Sequence, residues 1–141
     1  MSFFDSQLSV FKITDTGASL RDVSASITQI EGLPGPRDLN EATPLNQAGH
    51  KFHPTLENGP VNLEIMFSDD ANTGSDTVFG PLRTHTAATA FEYHPVGVGT
   101  GKVKYTGNIW VRNYQILTRV GQLLTARVEM QVDGVVTRTV P

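Results

Sequence analysis

The residues whose types suit metal-ion chemistry are His50, His53, His94 and the adjacent pair Asp69 and Asp70. His50 and His53 stand three apart, and with His94 or the aspartate pair they have the donor atoms to surround a cation. Their spacing follows no recognised ligand pattern. Asp69-Asp70 also lacks the spaced oxygen ligands and the central glycine of a calcium loop. The expectation is loop histidines beside a charged turn, with no metal and no cofactor. Acyl transfer has no Gly-x-Ser-x-Gly to start from, so a Ser/His/Asp set would have to be gathered from scattered positions. The glycines of 96–101 make no phosphate cradle, because neither a lysine-serine pair nor a helix pattern follows them. Arg112, Arg119, Arg127 and Arg138 are interspersed with Glu129 and Asp133, which reads as mixed surface charge in preference to a basic groove. No catalytic constellation emerges, and the expectation is a protein that is not an enzyme and works through its surfaces.

The elements that carry those surfaces read as strands. Over 124–134 the apolar Leu124, Ala126, Val128, Met130 and Val132 alternate with Thr125, Arg127, Glu129, Gln131 and Asp133, the period-two pattern of a half-buried strand. Asp133-Gly134 reads as a turn, with 135–140 returning as a hairpin arm. Residues 102–118 give another long strand, with Val103, Tyr105, Ile109 and Val111 on one side and Lys104, Thr106, Asn108 and Arg112 on the other. Trp110 falls on the polar side, so that side is expected to be covered locally by a helix, a loop or another subunit. Residues 61–67 alternate as cleanly, Val61, Leu63, Ile65 and Phe67 against Asn62, Glu64 and Met66. At the front, 8–14 and 20–31 flank the turn cluster at 15–19 and read as a hairpin. The single helix candidate is 76–88, with Gly80-Pro81 marking a kink or a late start.

Between these, 32–53 has no sustained period, though Leu33, Leu39, Leu45 and Phe52 lie within it. A solvated surface loop is one reading. Those apolar side chains favour the other, an interaction arm that orders against a neighbour.

At 141 residues the chain is most economically one domain, and with no cysteine its stability must come from packing or association. The balance of 11 basic against 14 acidic residues lacks the character of a protein that grips nucleic acid. Five acidic residues and no basic one lie between Lys51 and Arg83, predicting negative potential there. The first residues have neither the basic nor the apolar region of a leader, and no run approaches a membrane-spanning length. The chain is expected to stay where it is translated until assembled or released.

Taken in order, the strand pair at 10–30, the break Gly32-Leu33-Pro34-Gly35 with its arm and the strand 61–67 running into Asp69-Asp70 form a characteristic series. One helix follows, then Phe91-Glu92-Tyr93-His94-Pro95, Tyr105-Thr106-Gly107-Asn108 and the ending Gln131-Val132-Asp133-Gly134-Val135-Val136-Thr137-Arg138. Together these resemble the major tail proteins, or tail tube proteins, of long-tailed bacteriophages, over almost the whole chain. The resemblance implies a mainly β fold: an antiparallel β-sandwich or small barrel with one flanking α-helix and a long extended arm. It implies one domain over 1–141, with 1–7 an N-terminal arm and 32–53 an inter-strand interaction loop.

It further implies a structural virion protein that assembles in the host cytoplasm into hexameric rings, stacked as the conduit for the genome. Its partners would be copies of itself, a tape-measure protein inside the lumen, a tail terminator, and distal tail or baseplate proteins. DNA would pass without specific binding, and this chain would insert in no membrane. Within that frame Asn62, Glu64, Glu129, Gln131 and Asp133 are the lumen candidates, with Arg127 placed to pair with Glu129 across strands. Leu33, Pro34, Arg37, Leu39, Leu45 and Phe52 are the candidates for contacts between subunits or rings. The rival readings are the related tube of type VI secretion systems, a small β-barrel carrier or enzyme with a closed apolar pocket, and a decoration module on a virion surface.

Overall fold

In a computed structural model, residues 5–43, 45, 46, 48–57 and 59–141 are described. The predicted N-terminal arm at 1–7 therefore lies mostly outside them. Nine strands and one helix follow in the order β1 (Val10–Thr14), β2 (Leu20–Asp22), β3 (Ile27–Glu31), β4 (Arg37–Glu41), β5 (Phe52–Glu57), β6 (Pro60–Met66), α1 (Ser75–Leu82), β7 (Thr89–His94), β8 (Lys104–Leu117) and β9 (Thr125–Thr139). Seven of them form one antiparallel sheet in the order β2-β1-β7-β8-β9-β6-β3, while β4 and β5 pair only with each other.

The two edges of that sheet are consecutive in sequence. Laid flat, seven strands would hold β2 and β3 roughly 29 Å apart. The chain crosses from Asp22 to Ile27 through a short 3-10 turn at Ser24–Ser26, and five extended residues reach at most about 17 Å. The sheet is thus forced to curl until its edges approach, giving the sandwich-like, nearly closed barrel that the sequence led one to expect. Inside the curl lie Phe11, Ile13, Val61, Leu63, Ile65, Phe91, Ile109, Val128 and Met130, all buried. Phe11 and Phe91 stack with ring centroids 6.2 Å apart. α1 contributes Val78, Phe79 and Leu82 to the same core.

Several expected boundaries change, each for a local reason. The stretch 20–31 is two strands: Ser24 leaves the β1 pairing, its hydroxyl accepting from Phe11 N at 2.8 Å, and β3 continues to the far edge beside β6. Asp15 organises the β1–β2 turn by accepting from Gly17 N and Ser19 N at 2.9 and 3.0 Å and pairing with Arg21 at 2.8 Å. The helix starts before Gly80-Pro81 and carries Pro81 in its last turn, where the missing N–H forfeits one intrahelical bond. Ser75, buried at its start, accepts from Ser68 N at 2.9 Å and donates to Met66 O at 2.7 Å, fixing α1 against the end of β6.

Asp133-Gly134 is no hairpin turn. β9 runs through it, and relative to β8 it gains two residues between Asp133 and Thr137, opposite Asn108 and Thr106. Gly134 absorbs this irregularity at φ +85. Leu124, expected in the core, precedes β9 and is exposed. The 32–53 segment is not structureless, since its two halves form the β4–β5 hairpin, which extends to Glu57.

Candidate assembly surface

The outward side of β3, β6, β9 and β8 is one continuous polar field. Cross-strand register sets its rows: Gln29, Glu64, Arg127 and Gln115; then Glu31, Asn62, Glu129 and Asn113; then Pro60, Gln131 and Trp110; then Asp133 and Asn108. All five lumen candidates, Asn62, Glu64, Glu129, Gln131 and Asp133, therefore share a single face. The alternate residues of the same strands, Leu63, Ile65, Ala126, Val128, Met130, Ile109 and Val111, are buried beneath it. Four carboxylates, Glu31, Glu64, Glu129 and Asp133, stand here against the guanidinium groups of Arg112 and Arg127.

Glu129 is held by a different arginine from the one expected. A bulge between Val111 and Asn113 lets two β8 residues oppose Glu129. As a result Arg112 Nη2 and Asn113 Nδ2 both donate to Glu129 Oε2, each at 3.4 Å. Arg127 instead stands opposite Glu64 and Gln115. The Arg112 pair is solvent-exposed and long, so it contributes at most about 1 kcal/mol. Trp110 lies on this polar face with 38% of its surface exposed. α1 packs against the buried side instead, so among the described residues no helix covers Trp110.

The arm candidates divide into two groups. Leu33 packs partly buried against the core and roots the arm. Pro34, Arg37, Leu39, Leu45 and Phe52 are exposed, Leu39 at 52% and Phe52 at 60%. The hairpin is ordered by polar links: Lys51 N donates to Thr43 Oγ1 at 2.9 Å, Thr43 Oγ1 to Glu41 Oε1 at 3.1 Å, and His50 Nδ1 meets the same carboxylate. Gly32 forms its root at φ +103, where an added Cβ would lie 2.3 Å from Pro60 O.

Of the residues read for chemistry, the His53 side chain lies outside those described, and the others do not converge. His50 sits in the arm, His94 is buried at the end of β7, and Asp70 O accepts from Gly74 N and Thr77 Oγ1 ahead of α1. Among the described residues no three metal-capable side chains come together. The acidic run between Lys51 and Arg83 is also dispersed: Glu64 is on the polar face, Asp69 and Asp70 are in the turn after β6, and Asp76 accepts from Tyr114. Ser9 and Lys12 have the Ser-x-x-Lys spacing that suits a nucleophile and its base. On extended backbone that spacing turns the side chains to opposite faces. Ser9 Oγ donates to Pro95 O at 2.7 Å instead. A cleft of about 500 Å3 opens beside the 23–26 link, between β1 and the free edge strand β3, with Phe11, Ile27, Ile30 and Tyr93 among its lining and Gln7, Ser9 and Gln29 polar beside them. It is open to solvent and mixed in character, unlike an enclosed apolar carrier pocket.

No protein-family profile and no curated protein matches the sequence. The fold does have solved counterparts. A chain from the tail of an empty GTA (gene transfer agent) particle, refined helically with C6 symmetry, aligns with TM-score 0.73 at 11% identity, covering 97% of this chain and 99% of its own. A chain of the anti-feeding prophage cap, which terminates that tube, aligns with TM-score 0.69 at 11% identity over 100% of this chain and 93% of its own. The SPP1 tail tube aligns with TM-score 0.61 at 7% identity over 99% of this chain and 81% of its own. The chain thus has the tail tube fold, the mainly β architecture with one helix that its order of elements led one to expect.

Proposed function

We propose that this chain is the structural subunit of a tail tube, a protein of the virion tail whose copies close into six-membered rings and stack around a bore. The observation that carries this reading is the four-strand polar field backed by a continuous apolar layer. Across those four rows Trp110 is the one large apolar side chain; a water-filled channel needs a broad face that is mostly polar, whereas a lone sandwich does not. In this reading the field lines the bore, with Asn62, Glu64, Glu129, Gln131 and Asp133 in the lumen. The excess of carboxylates keeps duplex DNA from adhering, since each phosphate neutralised by lysine or arginine adds affinity. The likeness in fold to the C6 tail supports six as the ring number.

The exposed β4–β5 hairpin, with Leu39, Leu45 and Phe52, reaches a neighbouring subunit or ring, and Leu33 anchors it. The domain is the whole chain, and the remaining contacts are a tape-measure protein in the bore and terminator and distal tail proteins at the ends. The test is electron microscopy of the purified chain. Rings of six copies, or tubes, are expected, and a population of single globules at high concentration overturns the reading. A chain of the sheath-tube complex of an extracellular contractile injection system shares the fold, and an injection tube and a genome conduit separate on whether assembled tubes hold DNA.

A further inference from the structure

We infer that the tip of the β8–β9 hairpin is a docking element that seats on the opposite end of a second copy of this chain in the adjoining ring. This rests on the tube reading above but uses neither the polar field nor the β4–β5 arm. Ile116 and Leu117 end β8, Val120, Leu123 and Leu124 lie in the connection to β9, and Met66 ends β6 beside Thr125. All six are exposed, Val120 fully and Leu123 at 74%. All six lie at one end of the fold: Phe67 N donates to Leu124 O at 3.1 Å, tying the connection to the end of β6, and Gln122 N donates to Arg119 O at 3.3 Å within the tip. An apolar cap of this size on a chain whose other end is also bare marks an interaction surface.

The other end lies about 45 Å away along the fourteen residues of β8. There Leu8, Val98 and Val140 are exposed, Val98 at 55%. They stand together because the 95–103 loop packs at Leu8, where a Cβ on Gly97 would lie 3.2 Å from Leu8 O, and Lys104 pairs with Thr139 next to Val140. Charge chooses the direction of docking. Exposed Asp69 and Asp70 follow β6 beside the tip, whose own exposed Arg119 offsets one of them, whereas exposed Lys102 and Arg138 flank the far end, and none of the five is in an ion pair among the described residues. Head-to-tail contact sets apolar against apolar and acid against base. Tip-to-tip contact would oppose two aspartate pairs. A contact between unlike ends does not close on itself and propagates as a filament, which is the geometry of a helically refined tail of this fold.

The chain has no cysteine, so thiols introduced at the two ends are the only ones. In assembled full-length protein, Val120→Cys with Val98→Cys, treated with a short bis-maleimide, is expected to give a ladder of multimers. Each single variant is expected to give none. Dimers from Val120→Cys alone would mean tip-to-tip docking and would overturn the inference, as would the absence of a ladder from the double variant. As a second measurement, Val120→Asp with Leu123→Asp is expected to leave ring diameter and melting unchanged and to shorten tubes at least tenfold. Tubes of full length from that variant would refute the tip as a docking element while leaving the tube reading standing. If the unsubstituted chain forms neither rings nor tubes, the tube reading itself fails.

Discussion

His94 is a buried imidazole whose Nε2 has no hydrogen-bond partner among the described residues, with Glu92 Oε1 3.6 Å away. Burial pushes its pKa below the ordinary 6.5; the Glu92 carboxylate pulls upward, while Lys12 and Lys104 push down with the burial. The folded state therefore prefers the neutral ring. As pH falls below 6.5 the unfolded chain takes up a proton that the folded chain does not, so stability is complete above that pH and declines as pH falls toward the folded value. Urea midpoints at pH 7.5 and 5.5 are expected to differ, with the lower at acid pH, and His94→Gln should reduce that difference. Asp15, whose pKa is lowered by Arg21 and by Ser19 N–H, loses its contribution only as pH falls below 3.8, outside that window. Tyr114 donates to Asp76 Oδ1 at 2.9 Å and joins α1 to β8; burial and the carboxylate hold its phenol well above its usual range. Tyr114→Phe should cost about 1–2 kcal/mol, read from the urea midpoint. Neither role is visible in sequence, because Tyr114 and Asp76 are far apart in the chain and only the packing of α1 brings them together.

Among the elements, the arm differs most from the expected form. Its Leu33, Leu39, Leu45 and Phe52 signalled interaction, but its pairing was hidden, because the β4–β5 register is bulged and β4 is exposed along its whole length. Gly32 sets its direction, and Gly32→Ala combines a strained φ with a clash against Pro60, so a loss of about 1–3 kcal/mol is expected in thermal or urea unfolding. Leu39→Asp with Phe52→Asp should behave differently. Both side chains are exposed, so subunit stability should change by less than about 0.5 kcal/mol. Ring stacking, followed by sedimentation, should be lost. β6 and the start of β9 were legible because strict alternation records a sheet with one buried side. The bulges at Arg112 and Gly134 break that alternation, which is why β9 looked like two strands and Arg127 looked like the partner of Glu129.

For the whole molecule, the decisive property is the sign of the polar field. Glu64→Lys with Glu129→Lys would turn an excess of carboxylates into an excess of cations facing the proposed bore. At equal tail yield, genome delivery is expected to fall, and the retained DNA should be released by added salt. Delivery equal to the parent at low salt would remove Glu64 and Glu129 from the lumen. The sequence by itself determined that several strands are half-buried, which side of each is polar, that one short helix interrupts them, and that no cysteine chemistry is present. These are local properties, fixed by residue types at period two. Only the tertiary structure decided that β2 and β3 are opposite edges brought near each other by a four-residue link, and that β3, β6, β9 and β8 lie side by side so their polar residues form one field. Strand neighbours far apart in sequence are selected by packing around the shared core of Phe11, Phe79, Phe91 and Met130, and alternation carries no record of that choice.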